Sequence, residues 1–125
     1  MTENELSRVI IGYAIDLHTK LGPGLLEKTY QQCLIHDLRK EGFKIEFEKS
    51  ISIKYNDLEI KDAYRIDILV NDKLVIELKS VESFSENHYA QVLTYLKLGG
   101  YKLGLLFNFK EKSLKNGIKR VANGL

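Results

Sequence analysis

Asp67, Glu77 and Lys79 are the residues of this chain whose types and spacing best suit catalysis. They stand in two segments, Arg65-Ile66-Asp67-Ile68-Leu69-Val70 and Val75-Ile76-Glu77-Leu78-Lys79, separated by the run Asn71-Asp72-Lys73-Leu74. Both segments are rich in β-branched and aliphatic residues, which favours strands. Alternate side chains of a strand share a face, so register decides whether two acids meet. A two-residue turn at Asn71-Asp72 would set Asp67 against Ile76 and Ile66 against Glu77, mixing acids into an aliphatic layer. A three-residue loop through Lys73 sets Ile66 against Leu78, Ile68 against Ile76 and Val70 against Leu74. One face is then wholly aliphatic, and Asp67 lies opposite Glu77 with Lys79 two residues further along. The hydrophobic pattern favours that register.

Like charges directly opposite each other weaken a sheet, and a divalent cation would offset the cost. Two carboxylates suit Mg²⁺ or Mn²⁺, because Mg²⁺ is commonly held by one or two carboxylates together with a substrate phosphate. Such an ion polarises a phosphoryl oxygen and makes its water more acidic. Lys79 can neutralise charge that develops on the phosphorus centre. A surface salt bridge among the same three residues is the competing reading, and spacing alone leaves both open.

Other polar residues carry weaker signals. Glu27 and Tyr30 lie three apart and share a helical face, though Glu27 also suits the positive end of a helix without any further role. Gln91 and Tyr95 are an i, i+4 pair, with His88 on the same stripe, and a glutamine there can bond a phosphate or an attacking water. His18 has no second histidine at ligand spacing and is expected to be a partnered structural residue. Cys33, the single cysteine, is expected to be a buried small hydrophobe, and it excludes an intrachain disulfide or a thiolate zinc cluster.

The elements that must position these residues follow from periodicity. Val9, Ile10, Tyr13, Leu17 and Leu21 recur at helical spacing. Gly22-Pro23-Gly24 ends that helix, and a second runs from about Leu25 to Lys40. The period then switches to two through Ile45, Phe47, Ile51, Ile53 and Tyr55, with a turn signal at Asn56-Asp57. Strands are expected over Tyr64–Val70 and Leu74–Lys79. A third helix starts at Ser85 and ends at Gly99-Gly100, followed by an apolar strand over Leu103–Phe109 and a short basic helix over Ser113–Val121. The expected architecture is one mixed α/β sheet covered by helices, in a single domain spanning 1–125.

Composition narrows the classes further. The chain has 125 residues, 44% hydrophobic and 29% charged, with a formal net charge of +2. That is ordinary for a water-soluble domain and too weak a charge to argue for nucleic acid by itself. The polar start MTENELSR has no signal-peptide core, and no apolar run approaches membrane-spanning length, so a cytoplasmic protein is expected. The C-terminal third is locally basic, with Lys97, Lys102, Lys110, Lys112, Lys115, Lys119 and Arg120. These could contact phosphates or simply face solvent.

The Asp67…Glu77-Leu78-Lys79 arrangement resembles the PD-(D/E)xK nuclease superfamily. Gly24-Leu25-Leu26-Glu27-Lys28-Thr29-Tyr30 resembles the signature of its GxxExxY family. His18, Tyr64-Arg65, Gln91 with Tyr95-Leu96, Gly104-Leu105-Leu106, Asn108-Phe109 and Ile118-Lys119-Arg120-Val121 extend the resemblance over most of the chain. It implies a restriction-endonuclease-like αβββαβ core, with Asp67 and Glu77 holding Mg²⁺ or Mn²⁺, Glu27 as an additional metal acid, and Lys79 and Gln91 in catalysis. Tyr30, Arg65, Tyr95, Lys119 and Arg120 are expected to face nucleic acid, DNA ahead of RNA. A non-catalytic nucleic-acid- or protein-binding module on the same scaffold, or a subunit of a larger complex, is the alternative. Cleaving both strands of a duplex needs two sites, so a homodimer is a further expectation.

Overall fold

The computed structural model describes residues 1–125. Helix α1, Glu3–Leu21, starts at Thr2. The Thr2 hydroxyl accepts from the Glu5 amide at 3.2 Å, and Glu5 Oε1 accepts from the Thr2 amide at 2.9 Å. This reciprocal capping satisfies two amides that the helix itself cannot. Gly22, at φ 76°, ends α1 in a backbone conformation that side chains disfavour. Helix α2, Glu27–Lys40, buries Tyr30, Gln31, Leu34, Ile35 and Leu38 along one stripe.

Three strands follow as an antiparallel meander: β1 (Ile45–Tyr55), β2 (Leu58–Val70) and β3 (Leu74–Lys79). The β2–β3 loop has the expected three residues, since Val70 pairs with Leu74 and Ile68 with Ile76. Asn71 and Asp72 take left-handed φ values of 52° and 55°, which short polar side chains tolerate. The Asn71 side chain accepts from the Lys44 amide, and Asp72 pairs with the Lys44 ammonium, pinning the turn. Helix α3 (Glu86–Gly99) crosses over to β4 (Leu103–Asn108), which runs parallel to β3, as a strand–helix–strand connection permits. The sheet order is β1-β2-β3-β4-β5.

Helices α1 and α2 cover one face of the sheet over a core that includes Leu6, Ile10, Tyr30, Leu34, Ile68, Ile76 and Phe107. Helix α3 covers the other face with Val92, Tyr95 and Leu96 against Ile66, Leu69, Val75 and Leu106. Gly104 lets α3 sit close, for a methyl group there would lie 2.6 Å from Val92 Cγ1.

The C-terminal segment departs from expectation. In place of a basic helix over Ser113–Val121, a short 3₁₀ turn (Leu114–Gly117) leads into strand β5, Ile118–Ala122, antiparallel to β4. Two causes are visible. Gly117 approaches the Asn108 carbonyl so closely that a Cβ would lie 2.7 Å from it, which ends the turn in tight contact with the end of β4. Strand β4 is buried along its whole length, so its outer backbone groups need a partner, and β5 supplies it. Strand β2 also begins at Leu58, six residues before the expected Tyr64, and forms a long arm with β1.

Candidate active site

At Asp67 the regular ladder breaks. Phe47 pairs with Ile68 and Lys49 with Ile66, but Glu48 and Asp67 between them are unpaired, and Glu48 has φ 48°. Ile68 belongs to the core under α1 and α2, whereas Ile66 packs under α3. Two residues of the same parity therefore lie on opposite faces. The expectation that Ile66 joins Ile68 on one aliphatic face, opposite Leu78, is overturned: β2–β3 pairing runs only from Val70/Leu74 to Ile68/Ile76.

Side chains take over where the ladder stops. The Asp67 amide donates to Glu77 Oε1 at 3.0 Å, and the Leu78 amide donates to Asp67 Oδ2 at 2.9 Å. Gln31 Nε2 donates to the Asp67 carbonyl at 3.0 Å. The break is thus stable because the main-chain groups it frees find partners. Each carboxylate spends one oxygen on the opposite strand's backbone, and the two acids meet in the gap.

The electrostatics follow from this enclosure. Glu77 is 2% exposed. Burial first, and the charge of Asp67 second, push its carboxyl up to about 8. Asp67 is also raised by burial, against the pull of the Leu78 amide and the Lys79 ammonium. Lys79 is half-buried at the end of β3, and its positive charge favours the ionised form of both acids. Two neighbouring carboxylates that cannot easily ionise together suit a divalent cation, whose charge can replace the proton that otherwise separates them. The donor set therefore fits Mg²⁺ or Mn²⁺. No group of three or more His, Cys, Asp or Glu side chains is gathered to hold a metal by itself. Glu27 therefore stands apart from the Asp67–Glu77 pair rather than completing a triad.

Glu27 is nevertheless nearby. It opens α2 and lines a cavity of about 120 Å³ with Lys28, Gln31, Glu48, Asp67 and Leu78. Lys28 and Glu48 form an ion pair of 2.5 Å at this cavity. The Lys28 contact holds the Glu48 carboxyl below its usual range, with a smaller contribution from Arg65. A larger cavity of about 410 Å³, between the loops that follow β3 and β4, contains none of the three acids Glu27, Asp67 and Glu77.

The remaining candidates divide. Arg65 is exposed and close to Glu48, at the border of the site. Gln91 is half-buried one helical turn before Tyr95, and its side chain makes no hydrogen bond. Tyr95 is 3% exposed, packed in the core under α3, with its ring 5.7 Å from that of Tyr64. Burial, then Glu77 and Asp67, raise its phenol, so the ring stands near the acids. It is not a free face for stacking a base.

Tyr30 is a correction. It is fully buried, stacked on Phe109 at 4.3 Å between ring centroids. Its hydroxyl donates to the Gly22 carbonyl and accepts from the Leu25 amide. It secures the Gly22–Leu25 turn to α2 and has no surface to offer nucleic acid.

Lys119 and Arg120 are both exposed but point to opposite faces of β5, for they pair with Leu106 and Leu105, which belong to different cores. Lys119 is in register with Glu77 across β4, roughly 10 Å away at the usual strand spacing. Arg120 bonds Asn4 of α1. His18 is buried and donates Nε2–H to the Phe109 carbonyl at 3.0 Å, as a partnered structural residue should. Cys33 is half-buried against the first core.

Four residues at or beside the site have no role in the sequence reading. Gln31, Lys28 and Glu48 surround Asp67, and Asn108 holds the loop after Lys79. Asn108 accepts from the Val81 amide at 3.1 Å and donates to the Val81 carbonyl at 2.8 Å. Gln31 carried a faint signal, one helical turn after Glu27. Glu48 carried none, because its position depends on the ladder break.

A mixed five-stranded sheet with helices on both faces and a paired-carboxylate centre at a strand break defines a restriction-endonuclease-like α/β protein. A sequence model of the PD-(D/E)XK nuclease superfamily matches residues 4–121, and the chain belongs to that superfamily. A solved structure with a similar fold, the "Crystal structure of SSO0001", aligns at TM-score 0.57 with 21% identity over 78% of this chain. This chain spans about half the length of that one, covering 50% of it. No curated protein matches the sequence. No helix is long and apolar enough to cross a membrane.

Proposed function

We propose that this chain is a divalent-metal-dependent nuclease that hydrolyses phosphodiester bonds, of DNA ahead of RNA. The observation that carries the reading is the Asp67–Glu77 pair, with each carboxylate fixed by the opposite strand's backbone and Lys79 next on β3. Within the superfamily, the run Gly24 to Tyr30 supports the GxxExxY family.

Asp67 and Glu77 would hold Mg²⁺ or Mn²⁺, with Glu27, which lines the same cavity as Asp67, as an additional acid. When bound, the ion supplies Lewis acidity toward the phosphate and a more acidic water. The chain's own residues do the rest. The two backbone bonds fix the acids before substrate arrives, so little reorganisation is left for the reaction. Lys79, next on β3, would balance negative charge on the phosphate. Arg65 and Lys119 are exposed and free to contact the nucleic-acid backbone. Gln91, on α3, would bond substrate or water.

The test is Mn²⁺ calorimetry on wild type and Asp67→Ala/Glu77→Ala, followed by cleavage assays on single- and double-stranded DNA and RNA. Metal binding and cleavage that both vanish in the double variant are expected. Undiminished cleavage by Asp67→Ala would reject the assignment.

The second reading is a non-catalytic binding module on the same scaffold. Such a module would bind nucleic acid without turnover and show no thermal shift with Mn²⁺.

A further inference from the structure

One ion pair borders the acids. Lys28 Nζ and Glu48 Oε1 lie 2.5 Å apart, bridging the start of α2 and the inner part of β1. Glu48 stands opposite Asp67, between the pairs Phe47/Ile68 and Lys49/Ile66. Both partners line the cavity that Asp67 lines, with Glu27, Gln31 and Leu78 completing the wall. Lys28 is thus the single cation of this wall, among three acids.

Stability does not account for the pair. The Lys28 side chain is 62% exposed and that of Glu48 31%, and exposed ion pairs contribute little. Glu48 meanwhile holds a left-handed φ of 48° within a strand, a conformation that costs any residue with a side chain and that gathers at functional sites. Charge gives the pair a purpose. A phosphodiester entering the cavity is repelled by Glu27, Glu48 and Asp67, while the one attracting group, Lys28, is already held by Glu48. Carboxylate and phosphate oxygens are both anionic acceptors for an ammonium, so one can replace the other. We propose that Lys28 is a phosphate-binding residue for the nucleic acid, and Glu48 the positioning residue that holds its ammonium beside Asp67 until a backbone phosphate takes it over.

The exchange moves no proton and makes no covalent bond: one ion pair opens and another closes. The long, exposed Lys28 stem can follow an incoming strand, whereas Lys79 is half-buried at the end of β3. Salt dependence carries the signature. In wild type the contact adds little to the slope, because Glu48, once released, takes a cation back as the phosphate binds. In Glu48→Gln nothing is taken back, and the logarithmic salt slope for a single strand steepens by about 0.7. The inference rests on the nuclease reading for the identity of its ligand, but binding tests it apart from turnover.

The experiment measures binding of a short fluorescent single-stranded DNA in EDTA over a salt series, together with kcat and KM for its cleavage in Mn²⁺. Wild type is compared with Lys28→Ala, Lys28→Arg, Glu48→Gln and the double variant Lys28→Ala/Glu48→Gln, each checked for folding by circular dichroism. We expect Lys28→Ala to weaken binding and raise KM by about tenfold with kcat within a few-fold, and Lys28→Arg to restore both. Glu48→Gln should tighten binding and steepen the slope, and the steepening should vanish in the double variant. Wild-type affinity and KM in folded Lys28→Ala overturn the proposal, as does a Glu48→Gln slope equal to that of wild type. Weaker Mn²⁺ binding by Glu48→Gln in calorimetry overturns it in favour of Glu48 as a metal acid. Wild type that binds without cleaving removes the nuclease reading and leaves the slopes to decide this inference; wild type that does neither overturns both.

Discussion

Asp67 and Glu77 are joined through backbone: the Asp67 amide donates to Glu77 Oε1 at 3.0 Å, one residue before the Leu78 amide donates to Asp67 Oδ2 at 2.9 Å. The two strands have separated here, and each acid fills the hydrogen-bonding position its neighbour strand has vacated. The carboxylates are consequently close, buried and fixed, which governs their response to protons and to metal.

The first consequence is for stability without metal. Glu77 titrates at about 8 in the folded chain against 4.5 when unfolded. Between those values the folded state keeps a proton that the unfolded state releases, so stability falls as pH rises. The contribution is fully present below about pH 4.5 and lost at pH 8 and above. Glu77→Gln keeps the acceptor for the Asp67 amide but carries no charge. It should raise Tm at pH 9 by about 5–10 °C and change it little at pH 5. Equal shifts at both pH values in thermal melts would contradict the buried, proton-bearing Glu77.

Metal and proton then compete for the same oxygens. Mn²⁺ affinity should rise between pH 6 and 8, by up to about tenfold per pH unit for each proton displaced. Calorimetry in buffers of different ionisation enthalpy should register that proton release. A pH-independent affinity would place the ion elsewhere.

Lys79 should separate binding from chemistry. Lys79→Met is expected to lower turnover by about 10²- to 10³-fold, the scale for losing one group that stabilises developing charge. Mn²⁺ binding should persist within a few-fold. Loss of metal binding together with folding would make Lys79 structural.

Tyr30 and Lys119 should behave in opposite ways. Tyr30→Phe leaves the Gly22 carbonyl and Leu25 amide without their partner and should cost about 1–2 kcal/mol in denaturant unfolding. It should leave the salt dependence of nucleic-acid binding unchanged. Lys119→Ala should do the reverse, with stability intact and the logarithmic salt slope lower by about one contact.

Much of this was legible in the chain itself, because local periodicity and turn chemistry act over a few residues. The three-residue loop after Val70 follows from aliphatic alternation and from Asn71 and Asp72, which tolerate left-handed backbone. The capping of α3 at Ser85 and its end at left-handed Gly100 were readable for the same reason. So were Asp67, Glu77 and Lys79 as the candidate acids and lysine, and the structural role of His18.

What only the tertiary structure decided depends on contacts between distant segments. The change of face at Asp67 needs Glu77 and Gln31 to satisfy its amide and carbonyl, and neither is local to β2. Ile66 therefore reads by alternation as a neighbour of Ile68 but packs under α3. The basic C-terminus becomes a strand because buried β4 needs a second edge partner, a demand that its own residues do not state. Tyr30 was assigned a face by helical spacing, but Phe109, from the far side of the chain, took that face. Spacing orders side chains along an element, while burial and hydrogen-bond satisfaction across elements determine which of them remain free to act.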